Sequence, residues 1–150
     1  MLERLDRSVL REMVLGHNEQ LGLCKTLERI ADALPHDLDP QTCKEAAGAI
    51  HRVMTRVAMV EQDLISRQLA EGGSVLAVNL APTIARLRRE NAEDLSYAEE
   101  LQETLRDYGT DKPSVSIDAL GYMLRGFFES RRRRIALERE ILDALAPPPQ

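Results

Sequence analysis

The stretch IDALGYMLRGFFESRRRRIALEREILDAL, residues 117–145, decides how this chain is read. Its apolar residues Ile117, Leu120, Leu124 and Phe127, followed by Ile141, Leu142 and Leu145, recur at helical spacing and mark one stripe. Carried through the run Arg131-Arg132-Arg133-Arg134, the same stripe lands on Arg131, Arg134 and Glu138. An unpaired buried charge is very costly. A core stripe that turns charged halfway along therefore requires polar partners at the same height on its neighbours.

Three more helices precede this one. The first is expected from Asp6 to Leu34, with Leu10, Met13, His17, Leu21, Cys24, Leu27 and Leu34 on its inner face. Pro35 breaks it, and Asp39 followed by Pro40 supplies an acidic N-cap with proline at the first helical position. The second helix runs on to Ala70, facing inward with Ala47, Ile50, Met54, Val57, Glu61, Leu64 and Gln68. Gly72-Gly73-Ser74 is the clearest turn. Val75 to Ala81 reads equally as a helical lead-in or an extended connector, so the long part of the third helix is placed from Pro82 to Tyr108, capped by Gly109. Its inner face carries Ile84, Leu87, Asn91, Leu95 (or Asp94), Ala98, Leu101 and Leu105. Ser116 is the expected N-cap of the last helix, which ends near Ala146.

Four helices with short connections imply an all-α, antiparallel up-down-up-down bundle. Residues 1–146 are expected to form one domain, and residues 147–150 a short proline-rich tail. Composition agrees with this: among 150 residues there are three Tyr, two Phe and no Trp, no alternating strand pattern appears, and helix formers dominate. A net charge of -5 argues against nucleic-acid binding, which one local arginine run does not reverse. No apolar run is long enough to span a bilayer and no cleavable leader is visible, so a cytoplasmic protein is expected.

In such a bundle, residues equally far from a shared turn lie at equal height, because each helical residue rises about 1.5 Å. His17 lies 17 residues before Leu34, and Val57 lies 17 after Pro40. Glu61 lies nine before Ala70, and Asn91 nine after Pro82. Asn91 lies 17 before Tyr108, and Arg134 lies 17 after Ile117. His17, Glu61, Asn91, Arg134 and Glu138 should therefore meet as a polar layer across the middle of an apolar bundle.

Histidines and glutamates facing inward from an antiparallel four-helix bundle resemble the ligand pattern of hemerythrin-like (HHE cation-binding) domains. His17, in Met13-Val14-Leu15-Gly16-His17-Asn18-Glu19, is similar to that family's first-helix ligand. Glu61, in Val60-Glu61-Gln62-Asp63-Leu64, resembles its bridging glutamate, and Glu138, in Ile135-Ala136-Leu137-Glu138-Arg139, its last-helix carboxylate. The resemblance spans Leu10 to Leu145 and implies a non-haem di-iron centre that binds dioxygen or senses oxygen and iron. The chain departs from that pattern in three places. Val57 stands where a histidine is expected four residues before Glu61, Arg134 four before Glu138, and Asn91 where the third helix would carry one. Valine cannot bind a metal, and arginine stays protonated and repels one. Most of the imidazoles that suit iron are gone.

The leading expectation is a non-catalytic binding or regulatory protein without a cofactor. Its Arg134 guanidinium replaces the metal charge between Glu61 and Glu138, and His17 and Asn91 complete the hydrogen bonds. The second is a sensor that keeps iron or a small ligand at a non-standard site of His17, Glu61 and Glu138. The third is phosphotransfer through His51, against which stands the sequence His51-Arg52-Val53-Met54, with no glycine to make room for a phosphoryl group. The expected partner is another protein or a second copy in a homodimer, with neither nucleic acid nor membrane. Arg132 and Arg133 are expected to face outward, toward acids of the third helix. Cys24 and Cys43 lie about 10 Å apart in height, too far for a disulfide.

Overall fold

The computed structural model describes residues 7–36, 38–63 and 75–145. Their four helices are α1 (Arg7–Ala33), α2 (Pro40–Asp63), α3 (Val75–Gly109) and α4 (Ile117–Leu145). Each helix packs on its sequence neighbours, and α1 closes the ring against α4. This is the bundle that the periodicity predicts.

Helix ends follow local chemistry. Asp39 caps α2: the Thr42 hydroxyl donates to Asp39 Oδ2 at 2.9 Å, and the Gln41 amide donates to Oδ1 at 3.3 Å. These two bonds hold the Asp39 carboxyl below its ordinary pKa. Ser116 caps α4 through Oγ, which accepts from the Ala119 amide at 3.1 Å.

Two boundary expectations need correction. Helix α3 begins at Val75, so the ambiguous segment is helical and Pro82 lies inside the helix, where it forfeits one backbone hydrogen bond. Gly109 is not a left-handed cap; the positive φ, 60°, belongs to Asp111. What Gly109 does is let α3 approach the start of α2, because a Cβ there would lie 2.5 Å from Lys44 Cγ and 3.2 Å from the Pro40 carbonyl oxygen. The expected Gly72-Gly73-Ser74 turn, the end of the second helix at Ala70 and the tail lie outside the described residues.

The main core occupies the half of the bundle nearest the α1–α2 and α3–α4 turns. It includes Cys24, Leu27, Cys43, Ile50, Leu101, Leu105, Leu120, Leu124, Phe127 and Phe128. Both cysteines are buried free thiols, and burial pushes both above the ordinary thiol pKa. Toward the other end a small cluster pairs Met13 with Leu142, with Val9, Leu10, Val60 and Ile141 against it. Between these two regions the buried side chains are mostly polar: His17, Gln20, Asn91, Asp94, Arg131 and Glu138, with Ile135 among them.

Candidate functional site

The polar layer contains His17 and Gln20 of α1, Glu61 of α2, Asn91 and Asp94 of α3, and Arg131, Arg134 and Glu138 of α4. Its centre is Arg131, which is 1 % exposed. Arg131 Nε and Nη2 donate to Gln20 Oε1 at 3.1 and 2.6 Å. Arg131 Nη1 donates to Asn91 Oδ1 at 2.7 Å and to Asp94 Oδ2 at 2.9 Å. Satisfaction on every side is what lets a guanidinium be buried at all.

Asn91 is the relay. Its Oδ1 faces the guanidinium, so its amide N–H groups face away, toward two carboxylates. Asn91 Nδ2 donates to Glu61 Oε2 at 2.7 Å and, over a longer 3.5 Å, to Glu138 Oε1. The flanking charges fix this amide orientation, since a carbonyl turned toward the glutamates would set like partial charges together. His17 Nε2 stands 3.3 Å from Glu138 Oε2, so the ring carries its proton on Nε2 when Glu138 is ionised. The other ring nitrogen, Nδ1, is buried and has no hydrogen-bond partner among the described residues. Burial raises the Glu61 carboxyl above its ordinary pKa; the Asn91 hydrogen bond offsets part of that rise, and the charge of Glu138 adds to it.

Four of the five sequence-predicted residues thus meet: His17, Glu61, Asn91 and Glu138. Arg134 does not take its expected place. Its Nε donates to Asp94 Oδ2 at 3.2 Å, and Nη1 bonds Glu90, nearer the bundle's surface. The reason is register. Buried positions on α4 include Leu124, Phe127, Arg131, Ile135, Glu138 and Leu142, three or four residues apart, a spacing that gives the inner slot to aliphatic Ile135 and leaves Arg134 beside it. Ile135 was the signal in the sequence that decides between the two arginines. Gln20 and Asp94 complete the layer. Asp94 was an alternative to Leu95, and Gln20 lay one residue off the predicted α1 stripe.

The outer arginines also differ from expectation. Arg132 lies 4.9 Å above the Phe128 ring and donates from both terminal nitrogens to Glu28 of α1, each at 3.1 Å, rather than to acids of α3. Arg133 is exposed, as are His51 and His36, all outside the layer.

A cavity of about 270 Å³ opens between α1 and α2 onto this layer. Its walls are mainly apolar (Met13, Leu15, Val53, Val57, Val60), with His17, Glu61 and Glu138 among its lining residues. Among the described residues, no group of three or more His, Cys, Asp or Glu side chains is arranged to hold a metal ion. No described helix is long and apolar enough to cross a membrane.

The family model described as hemerythrin HHE cation-binding domain matches residues 8–146. Searches of curated proteins and of solved structures return no match. Matched over nearly its whole length, the chain belongs to the hemerythrin HHE cation-binding domain family.

Proposed function

We propose that this member of the hemerythrin family is a non-catalytic binding or regulatory protein whose di-iron centre has been replaced by the network around Arg131 and Asn91. The observation that carries the reading is the Asn91 amide between Glu61 and Glu138. Bridging carboxylates must turn lone pairs toward metal ions, and here an N–H donor claims one of those lone pairs at 2.7 Å. Behind it stands a guanidinium fixed by Gln20, Asn91 and Asp94, a permanent positive charge that disfavours a second cation. Val57 and Arg134 stand four residues before the two glutamates, where imidazoles would be needed. The donor set does not fit two iron ions.

A second reading has one observation in its favour. His17, Glu61 and Glu138 line a common cavity, and His17 already touches Glu138, so iron or a small ligand sensed at these three residues is the runner-up. In either reading the output passes to a partner, a second copy or another protein, within the cytoplasm. Exposed Val14 and Leu15 on α1 and Met59 on α2 support a protein contact.

Elemental analysis with an ultraviolet–visible spectrum, before and after anaerobic incubation with ferrous iron, separates the two readings. Substoichiometric iron and no oxo-bridge absorption are expected. Near-stoichiometric iron that is lost in Glu61→Ala would overturn the proposal in favour of the sensor.

A further inference from the structure

We propose that the cavity between α1 and α2 binds a small primary amine, with its apolar body among Met13, Val53, Val57 and Val60 and its ammonium group against Glu61 and Glu138. This inference rests on the reading that no metal occupies the layer.

The cavity has two chemically distinct parts. Its walls are aliphatic, while its polar lining includes Glu61 and Glu138 on α2 and α4 and Glu12 and Glu19 on α1. Among the described residues, Arg56 is the only arginine or lysine on the lining; it is exposed and already paired with Glu19. At about 30 Å³ for each water-sized group, 270 Å³ accommodates roughly nine non-hydrogen atoms. That suits a short alkyl chain and is just below the ordinary range for drug-sized ligands.

Charge decides the ligand class. Arg131 spends its donors on Gln20, Asn91 and Asp94, and Arg134 spends its own on Asp94, Glu90 and Ser130. Among the described residues neither arginine donates to Glu61 or Glu138. Among the described residues, Glu61 accepts the Asn91 amide on Oε2 and no guanidinium bonds it. An alkylammonium brings one positive charge and three N–H donors, which suit two converging carboxylates. An anion would meet their repulsion, and a neutral alcohol would leave the missing charge unsupplied. The aliphatic walls gain by covering the alkyl chain, which a hydrated inorganic cation cannot offer.

The test is calorimetric titration of chelator-treated, full-length protein near neutral pH with n-pentylamine, 1-pentanol and pentanoate. Iron content is measured on the same sample before chelation. The amine should bind saturably, the alcohol at least about tenfold more weakly, and pentanoate not at all. Glu61→Gln should lower amine affinity about tenfold or more while leaving alcohol binding in place. Gly16→Leu should abolish both. Gly16 lines the cavity, and a Cβ there meets nothing within 4 Å, so the added side chain enters open space. Equal affinity for alcohol and amine, no saturable amine signal, or unchanged amine binding in Glu61→Gln would each overturn the proposal. Iron-free protein that ignores the amine would sink only this inference, whereas stoichiometric iron before chelation would remove the reading beneath it as well. Should Glu61→Gln fail to fold, the three-ligand series on the wild type and Gly16→Leu still decides.

Discussion

The half of the bundle around Leu27, Ile50, Leu105 and Leu124 is held by aliphatic contact, whereas the layer around Arg131 is held by hydrogen bonds between charged and amide groups. The first tolerates error in any one contact, because dispersion and burial are summed over many neighbours and have no preferred direction. The second does not. Each buried donor or acceptor depends on one or two partners, and removing one leaves the others desolvated and unpaired. The apolar half supplies stability, and the polar layer fixes how the four helices are registered against one another.

The widest gap between the two regions should appear at Arg131. Arg131→Ala takes their guanidinium donor from buried Gln20 and Asn91 and leaves Asp94 to Arg134 and Ser130, and it should cost about 3–5 kcal/mol in urea unfolding. Arg134→Ala, at the edge of the layer, should cost about 1 kcal/mol or less, since its partners Glu90 and Asp94 keep water or other donors. Equal costs would mean that the layer has no centre.

Truncation in the apolar parts sharpens the contrast. Leu27→Ala, at a fully buried site, should lose about 2–4 kcal/mol through transfer and cavity terms. Met13→Ala, in the thin Met13–Leu142 cluster, should lose about half as much, because fewer buried neighbours surround it. A larger loss at Met13 would show that the far end carries more of the stability than its described contacts suggest.

The finest test uses pH. The Glu61 carboxyl is raised in the folded state, so the native protein binds its proton more tightly than the unfolded chain does. The sign follows directly: ionised Glu61 destabilises the fold above its folded pKa, and the penalty fades as pH falls toward the ordinary value of 4.5. Glu61→Gln should therefore be the more stable protein at neutral pH, with the advantage shrinking as the solution is acidified. An advantage that grows on acidification would mean that Glu61 is stabilised as a carboxylate, as an ion-paired group would be.

Much of this was legible in the chain. Helical periodicity, the Asp39-Pro40 start and the Ser116 cap are local properties, so they marked the helices and most of their ends. Equal distance from shared turns also brought His17, Glu61, Asn91 and Glu138 to one height, because helical rise is constant. Pro82 misled by a local rule: proline is favoured in the first turn, yet α3 carries it inside. Gly109 misled in the same way, since its reason is the close passage of α2, which no local pattern records.

The sequence by itself determined four amphipathic helices, their order, the level of a charged interruption in α4 and the absence of the histidines expected beside Glu61 and Glu138. Only the tertiary structure decided which arginine enters the bundle. The choice turned on Ile135 competing for the inner slot of α4 and on Gln20, Asn91 and Asp94 standing ready for Arg131 from two other helices. Helical spacing sets a side chain's angle only to within a residue. Burying a charge requires donors and acceptors placed to within tenths of an ångström, and those come from neighbours far away in the chain.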